Sequence, residues 1–264
     1  MPISSVHPLP YSADPGAYFA RLRHAPGAVL LDSGRPGAER GRYDILSAWP
    51  LAELAPGTDE SANDFLARLR KSLQRLGPAT LPGEYELPFV GGLLGYLAYD
   101  FGRRLEPMPN QAVDDLGLAD ARFGLYAWAL ISDHQRGTSQ LVCHPQLPAD
   151  ERERLLALLQ QPAPAAPQAF RLSARFSADT PEGRYQQAIA AIQAYILAGD
   201  CYQVNFAQRF RAPCQGEPWA AYRALRAACP TPFAGYLRLS DDSAILSLSP
   251  ERFLRLHQGA ETFG

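Results

Sequence analysis

The sequence predicts an α+β fold, largely antiparallel β-sheets flanked by helices. Two observations carry that expectation. Long apolar strands are joined by short turns rich in Gly, Pro and Asp, and the helical stretches stand apart from them instead of alternating with them. No internal repeat is visible.

The elements follow in order. Asp14 before Pro15 reads as a helix cap and first-turn proline, with Tyr18, Phe19 and Leu22 on one face. Residues 28–32 are a buried strand closed by Ser33 and Gly34, and residues 43–49 return to strand. Residues 61–76 form an amphipathic helix with Phe65, Leu69, Leu73 and Leu76 at helical spacing. The glycine-rich stretch 91–100 reads as a strand, and its glycines are expected to admit a close backbone or ring rather than a phosphate. Residues 123–133 and 138–144 form a hairpin around the turn 133–137, and residues 150–160 a leucine-rich helix. Helix 180–199 follows, with Tyr185, Ile189, Ile192 and Ile196 in a stripe and Gly199 as its stop. Residues 200–211 are expected as a strand, residues 217–228 as a helix with Trp219, Tyr222 and Leu225. Residues 233–239, 243–249 and 252–257 are the last strands.

Residues 161–168 contain proline, alanine and glutamine only, with no pattern to bury, and read as a linker. The expected organisation is a first domain over residues 1–160, a linker over 161–169 and a second domain over 170–264.

Composition removes several function classes. The chain has 264 residues, a formal net charge of -2 and 47% hydrophobic residues. No basic excess is available to neutralise phosphates, so a nucleic-acid partner is not expected. No apolar run of 18 residues exists, so no membrane-spanning helix is expected. Cys143, Cys201, Cys214 and Cys229 lack metal-ligand spacing, and reduced thiols in a cytoplasmic protein are the expectation. Among 25 basic residues, Lys71 is the single lysine.

Three places hold polar residues that could do chemistry. Gln203 and Asn205 share a face of the expected strand 200–211, with Gln208 and Arg209 at its end. They can orient a polar ligand or simply meet solvent, and composition favours solvent. Glu251 sits in a Ser-Pro-Glu corner at a strand end, as an acid or base or as an exposed turn residue. Asp32 and Ser33, with Arg42 and Asp44, could hold a zwitterion or form a structural salt bridge; the residues alone favour the salt bridge.

Taken together, these segments resemble a known family. Gly199-Asp-Cys-Tyr-Gln-Val-Asn-Phe-Ala-Gln-Arg-Phe210 and Ser247-Leu-Ser-Pro-Glu-Arg-Phe253 are similar to the two long motifs of the chorismate-utilising enzymes, the anthranilate synthase component I family. Leu30-Leu-Asp-Ser-Gly34, Gly41-Arg-Tyr-Asp-Ile-Leu-Ser47, Gly91-Gly-Leu-Leu-Gly-Tyr96 and Asp100-Phe-Gly-Arg-Arg104 extend the likeness from about residue 8 to about 262. The Cys-Tyr-Gln-Val-Asn run resembles the para-aminobenzoate branch more than the anthranilate branch, although Phe206 stands where Leu is commoner.

The resemblance implies amination of chorismate at C4, with ammonia from a glutaminase partner, toward folate. It implies Mg2+ at the substrate carboxylate and Glu251 as the acid/base group at the leaving hydroxyl. It places an amino-acid pocket, which holds tryptophan in the family, at Ser33, Arg40, Gly41, Arg42, Tyr43, Pro232, Phe233 and Ala234. In the branch resembled, that pocket is expected to be structural or vestigial. The family's Pro-Ile-Lys-Gly-Thr segment, with its reactive lysine, and its metal-ligating glutamates follow the point where this sequence stops. Lys71, on a polar helix face, is no substitute. The expectations are a C-terminally truncated second domain, no amination by this chain alone, and sheet edges that need a partner. Anthranilate synthase component I and a non-catalytic tryptophan-binding fragment are the alternatives.

Overall fold

The computed structural model describes residues 1–109, 113–239, 243–257 and 260–263. The chain divides into two compact units, one of Met1–Ala166 with Tyr222–Gly264, the other of Pro167–Ala221.

In chain order the elements of the first unit are β1 (Ser5–Leu9), α1 (Gly16–Phe19), β2 (Val29–Asp32), β3 (Tyr43–Ser47), β4 (Ala52–Leu54), α2 (Ala62–Leu76), β5 (Gly92–Leu97), a 3-10 turn (Tyr99–Arg104), β6 (Ala121–Tyr126), β7 (Trp128–Asp133), β8 (Thr138–Cys143) and α3 (Ala149–Gln160). The second unit carries β9 (Arg171–Leu172), β10 (Ser177–Ala178), α4 (Glu182–Ala198), β11 (Phe210–Arg211) and β12 (Cys214–Gln215). Helix α5 (Pro218–Ala228) begins in the second unit and ends in the first. Then come β13 (Phe233–Arg238), β14 (Ala244–Ser249), β15 (Leu254–His257) and β16 (Ala260–Phe263).

The first unit is built on a seven-stranded sheet in the order β1-β8-β7-β3-β2-β13-β14, and every neighbour pair is antiparallel. A second, three-stranded sheet runs β4-β6-β5. Tyr236, Leu30, Leu46, Leu130 and Leu141 lie directly opposite one another across five strands. The four leucines in that row are fully buried, and Phe19 and Tyr222 meet Tyr236 edge-on at 5.4 and 5.7 Å. On the other face Val29 packs with Leu94 and Tyr126, joining the two sheets. Helix α2 lays Phe65 and Leu69 on Leu54, Phe101 and Ala121. Ser61 caps it by accepting from the Asp64 amide at 3.1 Å, worth about 1 kcal/mol.

Most expected elements form, and the differences have physical causes. Residues 123–133 are two strands in different sheets, β6 and β7, with Ala127 between them. Gly95 of β5 sits so close to β6 that a Cβ there would lie 2.0 Å from the Arg122 carbonyl oxygen; the strand glycine admits a backbone, as its sequence context indicated. Leu73 and Leu225, placed on apolar faces by spacing, are 41% and 46% exposed. Residues 222–264, assigned from sequence to a second domain, cluster with the first, because β13 hydrogen-bonds to β2. The linker begins tied down: Arg21 donates to the Gln161 carbonyl at 2.9 Å and Arg23 to that of Ala165 at 3.1 Å.

The second unit departs most. Residues 200–209 are not a strand; only Phe210 and Arg211 pair, with β10. Their polar groups bond locally instead. Arg209 and Arg211 both meet Asp179, and the Gln208 amide donates to the Thr180 carbonyl at 3.2 Å. Helix α4 ends on Gly199 in the left-handed conformation, as its sequence indicated, but none of its residues is buried. Tyr185 touches Phe206 at 5.6 Å, while Ile196 at the far end of the stripe is exposed.

The row across the large sheet gives a direct test. Leu46→Ala should destabilise the protein by about 3 kcal/mol. Leu73→Ala should stay within about 0.5 kcal/mol, both measured by urea unfolding.

Candidate functional site

Three adjacent strands place their ends together. Strand β2 ends at Asp32, β3 starts at Tyr43 and β13 starts at Phe233, and β2 lies between the other two. The open cleft at this edge measures about 840 Å³. Ser33, Arg40, Gly41, Arg42, Tyr43, Pro232, Phe233 and Ala234 all line it. Leu31, Asp32, Pro88, Pro250, Arg252 and Arg255 complete the wall.

Gly41 adopts a φ of +126°, and a Cβ there would stand 2.7 Å from the Ser33 carbonyl oxygen. Only glycine lets the 41–43 segment pass over Ser33. Phe233 presents a partly exposed ring with the Arg252 guanidinium 5.0 Å from its centroid, a cation–π contact. Arg42 stacks on Tyr43 at 4.6 Å.

Two buried carboxylates floor the cleft region. Asp32 accepts from the Tyr222 hydroxyl at 2.8 Å, from Arg226 Nε at 2.5 Å and from the Gly34 amide at 2.7 Å. Burial, then the Asp32 charge, pushes the Tyr222 hydroxyl far above its ordinary pKa, so it stays a donor. Asp44 Oδ1 accepts from the Ser33 amide at 2.8 Å and from Ser33 Oγ at 2.7 Å. Its Oδ2 lies 2.8 Å from His134 Nε2, and His134 Nδ1 lies 2.9 Å from the Tyr11 hydroxyl. Asp32 and Arg42 do not pair with each other. Arg42 makes a forked ion pair with Asp133, at 2.9 Å for the shortest contact. Both charges are met by ion pairs, but with partners outside the motif.

Glu251 is placed differently. It follows β14, its side chain is exposed and it does not line the cleft, although Pro250 and Arg252 beside it do. Its amide donates to Ser249 Oγ at 3.2 Å, an arrangement that fixes the corner and leaves the carboxylate outward. In the second unit, the Gln203 amide reaches Asn205 at 3.4 Å in irregular backbone, not across a strand face. Among the described residues no three His, Cys, Asp or Glu side chains converge in a way that could hold a metal ion. Sequence reasoning missed Arg226 and His134. Arg226 lies one helical turn after Tyr222 on α5, a detectable signal; His134 sits in a hairpin turn with no pattern around it.

Residues 27–263 match the profile of the chorismate binding enzymes. The chain belongs to that family. Family relatives include aminodeoxychorismate synthase component 1 from Klebsiella aerogenes, 40% identical over 95% of this chain and 57% of that protein. The Salmonella typhimurium protein of the same name is 39% identical over 95% and 56%. Anthranilate synthase component 1 from Thermus thermophilus is 38% identical over 90% and 53%. The chain thus spans little more than half the length of the curated relatives it matches. Among solved structures, anthranilate synthase component I from Streptococcus pneumoniae superposes with a TM-score of 0.64 at 22% identity, covering 84% of this chain and 53% of that one. The chorismate-binding family fold is the α+β arrangement that the sequence predicts.

The Arg42–Asp133 fork carries a pH signature. Burial opposes the Asp133 charge, but bonds from Arg42 and from the amides of Gln135 and Arg136 outweigh it and hold the carboxyl below its usual range. A lowered folded pKa stabilises above the ordinary carboxylate value and is lost as pH falls through the folded one. Asp133→Asn should therefore cost more stability at pH 7 than at pH 4, with the gap still closing below that. Chemical denaturation across this range reads it, and a gap that widens on acidification would contradict the assignment.

Proposed function

We propose that this chain is part of the large subunit of an aminodeoxychorismate synthase. The reaction converts chorismate, with ammonia released from glutamine by a glutaminase partner, to 4-amino-4-deoxychorismate for para-aminobenzoate and folate synthesis. The observation that carries the reading is the 40% identity over 95% of the chain to the Klebsiella aerogenes synthase component. The Cys201-Tyr-Gln-Val-Asn205 run adds to it. A cytoplasmic place of action goes with the reading; among the described residues no helix is long and apolar enough to cross a membrane. Anthranilate synthesis is the second reading, supported by the 38% identity to the Thermus thermophilus protein.

In the first reading Glu251 protonates the C4 hydroxyl as it leaves, since hydroxide is a poor leaving group. An exposed carboxylate becomes an effective acid once substrate or further protein surface covers it. Magnesium belongs to this reading by family resemblance, and no described residue is assigned to it. The cleft between β2, β3 and β13 is read as an amino-acid pocket for tryptophan. Its volume lies in the range of small-molecule sites. Ser33 meets the ammonium, guanidinium groups the carboxylate, and Pro232 and Phe233 the indole.

Growth requirements separate the readings. Disrupting this reading frame in its host should create a need for para-aminobenzoate. A need for tryptophan instead would move the assignment to anthranilate synthase. For the cleft, calorimetry should show tryptophan binding that Phe233→Ala weakens about 10-fold or more, as expected for loss of a central aromatic contact. Binding unaffected by that change would remove the indole from this site.

A further inference from the structure

We infer that Asp44 and His134, steadied by Tyr11, are positioning residues that fix the Ser33 hydroxyl as a hydrogen-bond acceptor toward the cleft. The inference rests on reading that cleft as an amino-acid pocket and names what selects the amine.

The argument starts from donors and acceptors. Asp44 is fully buried, and an ionised carboxylate only accepts. Ser33 Oγ has a single proton, and at 2.7 Å from Asp44 Oδ1 that proton is committed to the carboxylate. Ser33 lines the cleft and is 2% exposed, so a ligand group that reaches its Oγ meets lone pairs alone. A ligand group meeting Ser33 must therefore donate, as an ammonium does and a carboxylate does not.

The second carboxylate oxygen explains how this polarity is held. Asp44 Oδ2 lies 2.8 Å from His134 Nε2, whose ring is 3% exposed. Since Oδ2 accepts, Nε2 carries hydrogen. Tyr11 closes the chain at 2.9 Å from Nδ1, with its ring edge-on to the imidazole at 5.9 Å. The backbone fixes the same junction, because the His134 amide donates to the Arg42 carbonyl at 2.9 Å, two residues before Asp44. Without His134, Oδ2 is a buried acceptor with no donor, a costly state that the carboxylate relieves by turning away from its present position. A carboxylate that has turned no longer holds the Ser33 hydroxyl proton, which is then free to point into the cleft. The acceptor then becomes a donor, and preference for an amine is lost.

Two measurements test this. Nitrogen NMR of the His134 ring in ligand-free protein should show a protonated Nε2 with slow exchange. A bare Nε2, or a ring averaging between tautomers, overturns the inference. Calorimetry compares L-tryptophan with indole-3-propionate, which lacks the amine. The intact protein should prefer tryptophan about 10-fold or more, the scale of a charge-assisted hydrogen bond. His134→Ala and Ser33→Ala should bring that ratio close to one while binding of indole-3-propionate changes little. His134→Gln, whose amide can still donate to Asp44, should restore part of it. Tyr11→Phe, at the exposed end of the chain of bonds, should lower the ratio even if His134→Ala fails to fold. A ratio unchanged in Tyr11→Phe, and in His134→Ala where that variant folds, with Ser33→Ala still abolishing it, overturns the positioning role and leaves the pocket reading intact. If the intact protein binds neither compound, the pocket reading fails, and the His134 ring spectrum alone decides the network.

Discussion

Two carboxylates without access to water set the terms for the first unit. Asp32 and Asp44 sit on neighbouring strands and are 3% and 0% exposed. Each must be met by donors or the fold loses several kcal/mol, on the order of the cost of an uncompensated buried charge. Asp32 draws in α5 through Tyr222 and Arg226, and the turn after β2 through the Gly34 amide. Asp44 draws in the β7–β8 turn through His134 and the backbone of Ser33. The cleft is what stands between these two clamps. Several of the residues that line it, Asp32, Ser33 and Arg42 among them, are held by these bonds, and the Phe233 ring is 36% exposed beneath Arg252.

This arrangement explains why guanidinium groups dominate the site without acting alike. Arg42 is spoken for by Asp133 and Tyr43, and Arg226 by Asp32. Arg252 lies over Phe233. A planar, permanently charged group can stack and fork at once, which a lysine cannot do. Three of the arginines that outnumber the lone Lys71 thus have structural uses at this cleft, whatever set their number.

Much of the fold could be read from the sequence where a local rule operated. Helix α2 announced itself by Ser61 and by Phe65 and Leu69; α4 by its glycine stop; β2 and β3 by short apolar runs. The motif residues of the cleft were also legible, since all eight meet in one place. What could not be read depended on partners distant in the chain. The pairing of β13 with β2 moved residues 222–264 into the first unit, and no local pattern encodes that choice. Residues 200–209 alternate like a strand, yet they hold no ladder among the described residues, because alternation specifies a face and not a neighbour. Glu251 was found as a motif residue, but its outward side chain follows from the corner that Ser249 fixes. His134 carried no signal at all; its place depends on a bond to a carboxylate ninety residues earlier.

The β2–β13 ladder joins residues 29–32 to residues 234–237. During synthesis at about 5–20 residues per second, the two sides emerge roughly 10–40 s apart. For that interval β2 is paired on one side only, by β3, and its other edge is an open row of amides and carbonyls next to fully buried leucines. The nascent chain carries an adhesive seam for far longer than a hairpin needs to close. Occupying that seam early, by a chaperone or by a neighbouring chain, would decide between folding and aggregation before the cleft exists.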